Sequence, residues 1–253
     1  MKTTYLYLTI LFSALSLSLP VFAQTVKIPD PNFKKTLIQL GLDLNGDGEI
    51  QVSEAQKVTE LKVDQAEIGS LIGIKSFTNL QILSFWNNKV RALDVEGMKK
   101  LTQIFGYNNL IENLNVKGLT NLKLLYLHQN KIKMLDVTGL TNLEEIKMHD
   151  NSLWKLAISN MPKLVALEFQ RNMMSDLKLE GCPELRMLRL DENLLSVLNL
   201  TQFKKMEEVT LRENPLVSLN VTGLRKLGSL DCSYTKLASI NMSGTVSLKK
   251  FEW

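Results

Sequence analysis

The chain has 253 residues, of which 45% are hydrophobic and 22% charged. That balance excludes a disordered tail, a collagen-like fibre and a polytopic membrane protein, and it suits a globular or solenoid chain. Basic residues number 30 and acidic residues 26, a net charge of +4 dispersed without long like-charge runs, which gives no footprint for nucleic acid. Two cysteines and two histidines are too few for a disulfide scaffold or a zinc cluster.

Residues 1–23 read as an export signal. Lys2 supplies a short positive start, the stretch from Tyr5 to Phe22 is apolar, and Val21-Phe22-Ala23 ends on the small residue that signal peptidase accepts. Cleavage is expected before Gln24. No second apolar span follows, so the mature chain is expected to be exported (secreted, periplasmic or at the cell surface), without membrane insertion.

The segment 24–57 then reads as a small helical cap. Asp30 and Pro31 form an N-cap and N1 pair, and Phe33, Leu37 and Leu40 share one apolar helix face. From Asp43 to Glu54 the chain reads D-L-N-G-D-G-E-I-Q-V-S-E, the ligand spacing of an EF-hand calcium loop. Asp43, Asn45 and Asp47 offer side-chain oxygens, Glu49 its carbonyl, Gln51 a water-mediated position, and Glu54 two oxygens. Gly48 permits the sharp turn and Ile50 packs inward. Ser53 and Gln56 predict a capping box for a short exiting helix. The expected cofactor is one structural Ca2+. A strand is expected from Glu60 to Val63.

The rest, 58–253, is repetitive. After an irregular first unit at 58–76, with Leu61, Val63, Ile68, Leu71 and Ile74 inward, units of 21 residues run without a gap from Phe77. Eight are complete, over 77–244, and a ninth is partial, over 245–253. Apolar residues recur at unit positions 1, 4, 7, 9, 14, 17 and 19, and position 12 is Asn in seven consecutive units, from Asn88 to Asn214. Positions 7 and 9 predict a short strand with its core side inward. The position-12 amide is suited to backbone groups that the following turn leaves unpaired. Cys182 and Cys232 fall two units apart, roughly 10 Å by strand spacing, so no disulfide is expected.

The unit core, L-x-x-L-x-L-x-x-N-x-L-x-x-L, closely resembles the leucine-rich repeat, and with the EF-hand-like cap it resembles the internalin-type proteins secreted by bacteria. The resemblance implies a leucine-rich repeat solenoid, α/β but mostly β, with a parallel concave sheet and short extended or 3₁₀ segments behind it. It also implies a non-enzymatic recognition protein with a protein partner.

On such a sheet, positions 6, 8 and 10 face the concave side, where repeat proteins bind. The first half of that face carries Trp86, Phe105, Tyr107, Leu124, Tyr126, His128 and His149. The second half is charged, with Glu145, Lys147, Glu168, Arg189, Asp191, Glu208, Arg212 and Asp231. Aromatics beside adaptable polar groups are the composition of binding hot spots, and they also suit sugar rings. The candidate partner-binding set is therefore Trp86, Phe105, Tyr107, Tyr126, His128, His149, Arg189, Asp191 and Arg212. His128 and His149 are expected about 5 Å apart, but Tyr107 and Gln170 flank them in the column and supply no third metal ligand, so a pH-sensitive contact is expected instead. No nucleophile elbow, H-E-x-x-H or phosphate loop is present. The sequons at Asn199, Asn220 and Asn241 all fall on position 18 and follow from repetition. Two rivals to a protein ligand remain: a glycan on the aromatic strip, and self-assembly through the sheet edge left open near Trp253.

Overall fold

The structure is a computed structural model that describes residues 24–253; the expected export signal over 1–23 lies outside the described residues. Helix α1 spans Pro31–Gln39 and α2 spans Val52–Ala55. The strands are β1 (Glu60–Lys62), β2 (Ile82–Ser84), β3 (Ala92–Asp94), β4 (Gln103–Phe105), β5 (Asn113–Asn115), β6 (Leu124–Tyr126), β7 (Glu145–Lys147) and β8 (Lys155–Ser159). They continue with β9 (Ala166–Glu168), β10 (Asp176–Glu180), β11 (Met187–Arg189), β12 (Val197–Asn199), β13 (Glu208–Thr210), β14 (Ser218–Asn220), β15 (Ser229–Asp231) and β16 (Lys250–Glu252).

Ten strands form one parallel sheet in the order β1-β2-β4-β6-β7-β9-β11-β13-β15-β16, one per coil. Its central column, Leu83, Ile104, Leu125, Ile146, Leu167, Leu188, Val209, Leu230 and Phe251, advances by 21 residues per step. This is a parallel β-solenoid of 21-residue repeats with a short helical segment at its N-terminal end. No coil can bury its apolar side alone, so the core is a continuous stack shared between neighbours. The inward residues expected in the first, irregular unit are all buried there.

The asparagine column joins the coils. Asn109 Oδ1 accepts from Val90 N–H of the preceding coil at 3.0 Å, while its Nδ2 donates to Phe85 O of that coil and to Gly106 O of its own. The same pattern recurs at Asn130, Asn151, Asn172, Asn193 and Asn214. Thr235 ends the column, and its hydroxyl donates only within its own coil, to Cys232 O. The residue before each of these positions, from Asn87 to Tyr234, has φ between 51° and 58°, a left-handed bend made in every case by a non-glycine residue.

The back of the solenoid is set by position 18. Where it is Asp or Asn (Asp94, Asn115, Asp136, Asn199, Asn220, Asn241), the side chain accepts from the N–H two residues on and closes an Asx turn. Ala157 and Lys178 cannot do this. Those two coils run on as the five-residue strands β8 and β10, paired from Lys155–Asp176 to Ser159–Glu180. The back is consequently three separate two-stranded sheets, β3-β5, β8-β10 and β12-β14.

Two expectations for the cap are corrected. Leu40 is the C-cap of α1 and stands 49% exposed, because the apolar face ends at Leu37. The capping residue of α2 is Gln51, whose N–H donates to Glu54 Oε2 at 2.8 Å; Ser53 lies inside the helix, not ahead of it. Asp30 caps α1 as its sequence position predicts, accepting from Phe33 N–H at 2.9 Å.

Candidate recognition surface and cap loop

The position-10 side chains of four successive coils form one stack. Trp86 and Tyr107 lie 5.6 Å apart at 3°, Tyr107 and His128 4.5 Å apart at 6°, and His128 and His149 4.2 Å apart at 18°. Strands one coil apart stand about 4.8 Å from each other, so flat rings at the same register meet face to face. Nothing of aromatic thickness can enter between rings at these separations. The column therefore closes its inner faces and turns its edges to the groove. Alongside, Phe105 meets Tyr126 edge-on at 5.3 Å, the Tyr126 hydroxyl donates to Glu145, and Lys147 Nζ sits 4.8 Å over the Tyr126 ring. The aromatic residues of this face are half-buried against one another.

One glycine makes the stack possible. Gly106 separates Phe105 from Tyr107, and a Cβ there would come within 2.2 Å of the Phe85 ring, which fills the core beneath it.

Burial, then the neighbouring His149, pulls the His128 imidazole down to about 4. Burial also lowers His149, against Asp150 and Glu168, which favour its charged form. Both rings are thus neutral at pH 7. Their Nδ1 atoms and the Oε1 of Gln170, next in the column, are buried without hydrogen-bond partners. Among the described residues no three His, Cys, Asp or Glu side chains are placed to hold a metal together.

The charged half is paired within itself. Glu168, almost fully buried, takes Lys147 at 3.0 Å and Arg189 at 3.5 Å; Arg189 also reaches Glu208 at 2.8 Å. Asp191 accepts from the Thr210 hydroxyl at 2.6 Å and from Arg212 N–H at 2.9 Å. Arg212 lies 3.8 Å from Asp231 and over the Tyr234 ring at 5.6 Å. The three charged members of the sequence-derived set thus lie on the expected face, each already engaged.

In the cap loop, the sequence-derived ligands share one loop but face its own amides, so that Asp43, Asp47 and Glu54 do not converge on a common centre. Asp43 accepts from Gly46 and Gly48 N–H, Asn45 from Asp47 N–H, Asp47 from Glu49 N–H, and Glu54 from Leu44 and Gln51 N–H. The Glu49 N–H, and next the Gln51 Nε2 at 2.8 Å, hold the Asp47 carboxyl below its ordinary range. The Glu49 side chain pairs with Lys34. Gly48 turns the chain at φ 80°. Two facts fit a hard, oxygen-ligated cation. The carboxylate oxygens of Asp43 and Glu54 each accept a single amide N–H and retain lone-pair capacity beyond it, and Gln51, only 4% exposed, has an Oε1 with no partner.

The sequence reading overlooked one surface. Met134, Trp154, Met173, Leu194 and Val197 stand 49–71% exposed on the flank just past the asparagine column. They occupy unit positions 13, 15 and 16, outward places in the same period. Cys182 and Cys232 are buried and unpaired, and burial pushes the Cys232 thiol up to about 11.

No family model matches the chain, and no curated protein does. Solved structures do. The chain is similar to the functional domain of InlJ from Listeria monocytogenes, which includes a cysteine ladder, at 23% identity and a TM-score of 0.58, over 90% of this chain and 61% of that one. The fold resembles that of the internalins. Internalin C2 from the same species matches at 23% identity and a TM-score of 0.52, over 73% of this chain and 94% of that one. YopM from Yersinia enterocolitica matches at 21% identity and a TM-score of 0.63, over 78% of this chain and 46% of that one. The chain thus spans about three fifths of the InlJ domain's length. What it shares with all three is the leucine-rich-repeat-like parallel β-solenoid. No helix among the described residues is long and apolar enough to cross a membrane.

Proposed function

We propose that this is an exported, non-enzymatic recognition protein that binds a protein partner on the first half of its concave face, with a calcium-stabilised EF-hand-like cap. The observation that carries the reading is the closed stack of Trp86, Tyr107, His128 and His149. Sugar rings are held by stacking on exposed aromatic faces, and the inner faces here are covered. The groove instead receives ring edges with N–H and O–H groups at strand spacing, which suits the mixed apolar and hydrogen-bonding surface of a protein. For the cap, the support is the oxygen-rich donor set and the orphaned Gln51 oxygen.

The test pairs residues 24–253 with a Trp86, Tyr107, Tyr126 to Ala triple variant, offered in parallel to a glycan array and to an array of immobilised extracellular proteins. Specific protein retention by the wild type, lost in the triple variant while the glycan array stays blank, is the expected outcome. Glycan binding that the triple variant loses would replace this reading with a lectin-like one.

A further inference from the structure

The first described residues lie against the back of the cap loop. Val26 N–H donates to Ile50 O at 2.8 Å and Val52 N–H donates to Gln24 O at 2.7 Å, with Thr25 opposite Gln51 in an antiparallel bridge. Val26 and Ile50 are buried. This pairing holds Ile50, Gln51 and Val52 extended, between the Glu49 carbonyl and the Glu54 carboxylate. It therefore orients two candidate ligands and starts the helix that presents a third.

The same segment then ties the loop to the solenoid. A Cβ on Gly73 would meet Lys27 O at 2.9 Å and Ile28 Cγ1 at 3.0 Å, so the first coil closes tightly over residues 26–28. Asp30 fastens the far end. Its Oδ1 caps α1, and its Oδ2 accepts from Gly69 N–H at 2.8 Å and Ser70 N–H at 2.9 Å in the irregular first unit.

We propose that residues 24–30 are a strap that supplies, from this chain itself, the pairing strand a lone calcium loop lacks, and that couples calcium occupancy to the closure of the first coil. The proposal rests on the calcium reading of the cap. A ligand set already held in its bound arrangement loses less conformational freedom on binding, so the strap raises affinity without touching the metal. Linkage makes the effect mutual: calcium must tighten the strap by the factor with which the strap tightens calcium.

Val52→Pro isolates the coupling. Position 52 opens α2, where proline is tolerated, and Gln51 already has the extended ψ of 153° that a following proline requires. The substitution removes the N–H that reaches Gln24 O; Val52→Ala keeps it and controls for the lost side chain. Calcium chloride is titrated calorimetrically into residues 24–253 of each form, with melts in chelator confirming that all three fold. We expect the wild type to bind calcium, Val52→Ala to match it within about twofold, and Val52→Pro to bind about fivefold more weakly, the loss of one hydrogen bond. Amide exchange at Val26 should slow when calcium is added to the wild type. No calcium binding by the wild type overturns the calcium reading and the coupling with it. Calcium binding that is equal in Val52→Pro and Val52→Ala, with Val26 exchange unmoved, overturns the strap alone and leaves the calcium loop standing.

Discussion

The two halves of the concave face share one backbone and one register, yet they satisfy their side chains in opposite ways. In the first half, rings cover each other's faces, and two imidazoles carry buried nitrogens without partners. In the second half, carboxylates and guanidinium groups cover each other's charge, as Lys147, Glu168, Arg189 and Glu208 do in sequence. A partner meeting the aromatic half gains contacts with open ring edges. A partner meeting the charged half must first displace ion pairs, and surface ion pairs exchanged for others contribute little net affinity. This difference is the ground on which the proposal places binding on the four coils that carry Trp86, Tyr107, His128 and His149 and not on the later, self-neutralised ones.

The largest expected effect tests whether the scaffold beneath the two halves is uniform. Asn109 lies under the aromatic half and Asn193 under the charged half, with the same three partners by position: a preceding-coil N–H, a preceding-coil carbonyl and its own coil's carbonyl. Replacing either with Ala leaves those buried groups unpaired, at a cost of about 3 kcal/mol. Urea unfolding of Asn109→Ala and Asn193→Ala should show similar losses. A loss at one site less than half that at the other would mean that the halves differ in backbone stability as well as in surface.

A smaller effect belongs to the aromatic half alone. The folded state keeps His128 neutral down to about pH 4, whereas an unfolded histidine takes up its proton near its usual value of about 6.5. Between those values the unfolded chain binds more protons, so stability rises with pH through the window, and it falls as pH is lowered from 6.5 to 4. The contribution is complete above about pH 6.5. Carboxylates also titrate near the lower end, so the informative quantity is a difference. Melting temperatures of the wild type and His128→Gln, followed from pH 7 to 4.5, should show a shallower fall for the variant. Parallel slopes would place the His128 ring in water in the folded protein.

Much of this was legible in the sequence. The period of 21 follows from apolar spacing alone, because every coil solves the same packing problem with the same residues. The burial of Leu61, Val63, Ile68, Leu71 and Ile74 in the irregular unit was likewise readable. Other features left no one-letter signal. The left-handed residue ahead of each asparagine is Asn, Gln, Asp, Arg or Glu, and none of these announces a positive φ as glycine would. The division of the back into three sheets hangs on Ala157 and Lys178, two residues that read as ordinary substitutions until position 18 is seen to make the turn. The closing of the ring faces was also hidden, since position and residue type place an aromatic on the groove without giving its plane. The partners of the charged residues were hidden for a related reason: they lie in neighbouring coils, at separations of about one period in the chain.

The smallest effect separates the two halves by salt. Arg189→Met removes a guanidinium that bridges Glu168 and Glu208, with Glu168 left to Lys147. Arg189 and Glu208 are partly exposed, and the buried Glu168 keeps Lys147, so the loss should be about 1 kcal/mol at low ionic strength. It should shrink toward zero near 1 M salt, where the screening length falls to about 3 Å. Tyr107→Ala removes a ring packed between Trp86 and His128, and its cost comes from lost apolar contact, which salt does not screen. Unfolding measured for both variants from about 0.01 to 1 M sodium chloride (about 30 to 3 Å of screening) should therefore give one loss that fades and one that persists. If the Arg189→Met loss also persists, the second half is held by packing of its aliphatic stems rather than by charge. Its ion pairs would then be free to open for a partner, and the assignment of binding to the aromatic half would lose its main physical ground.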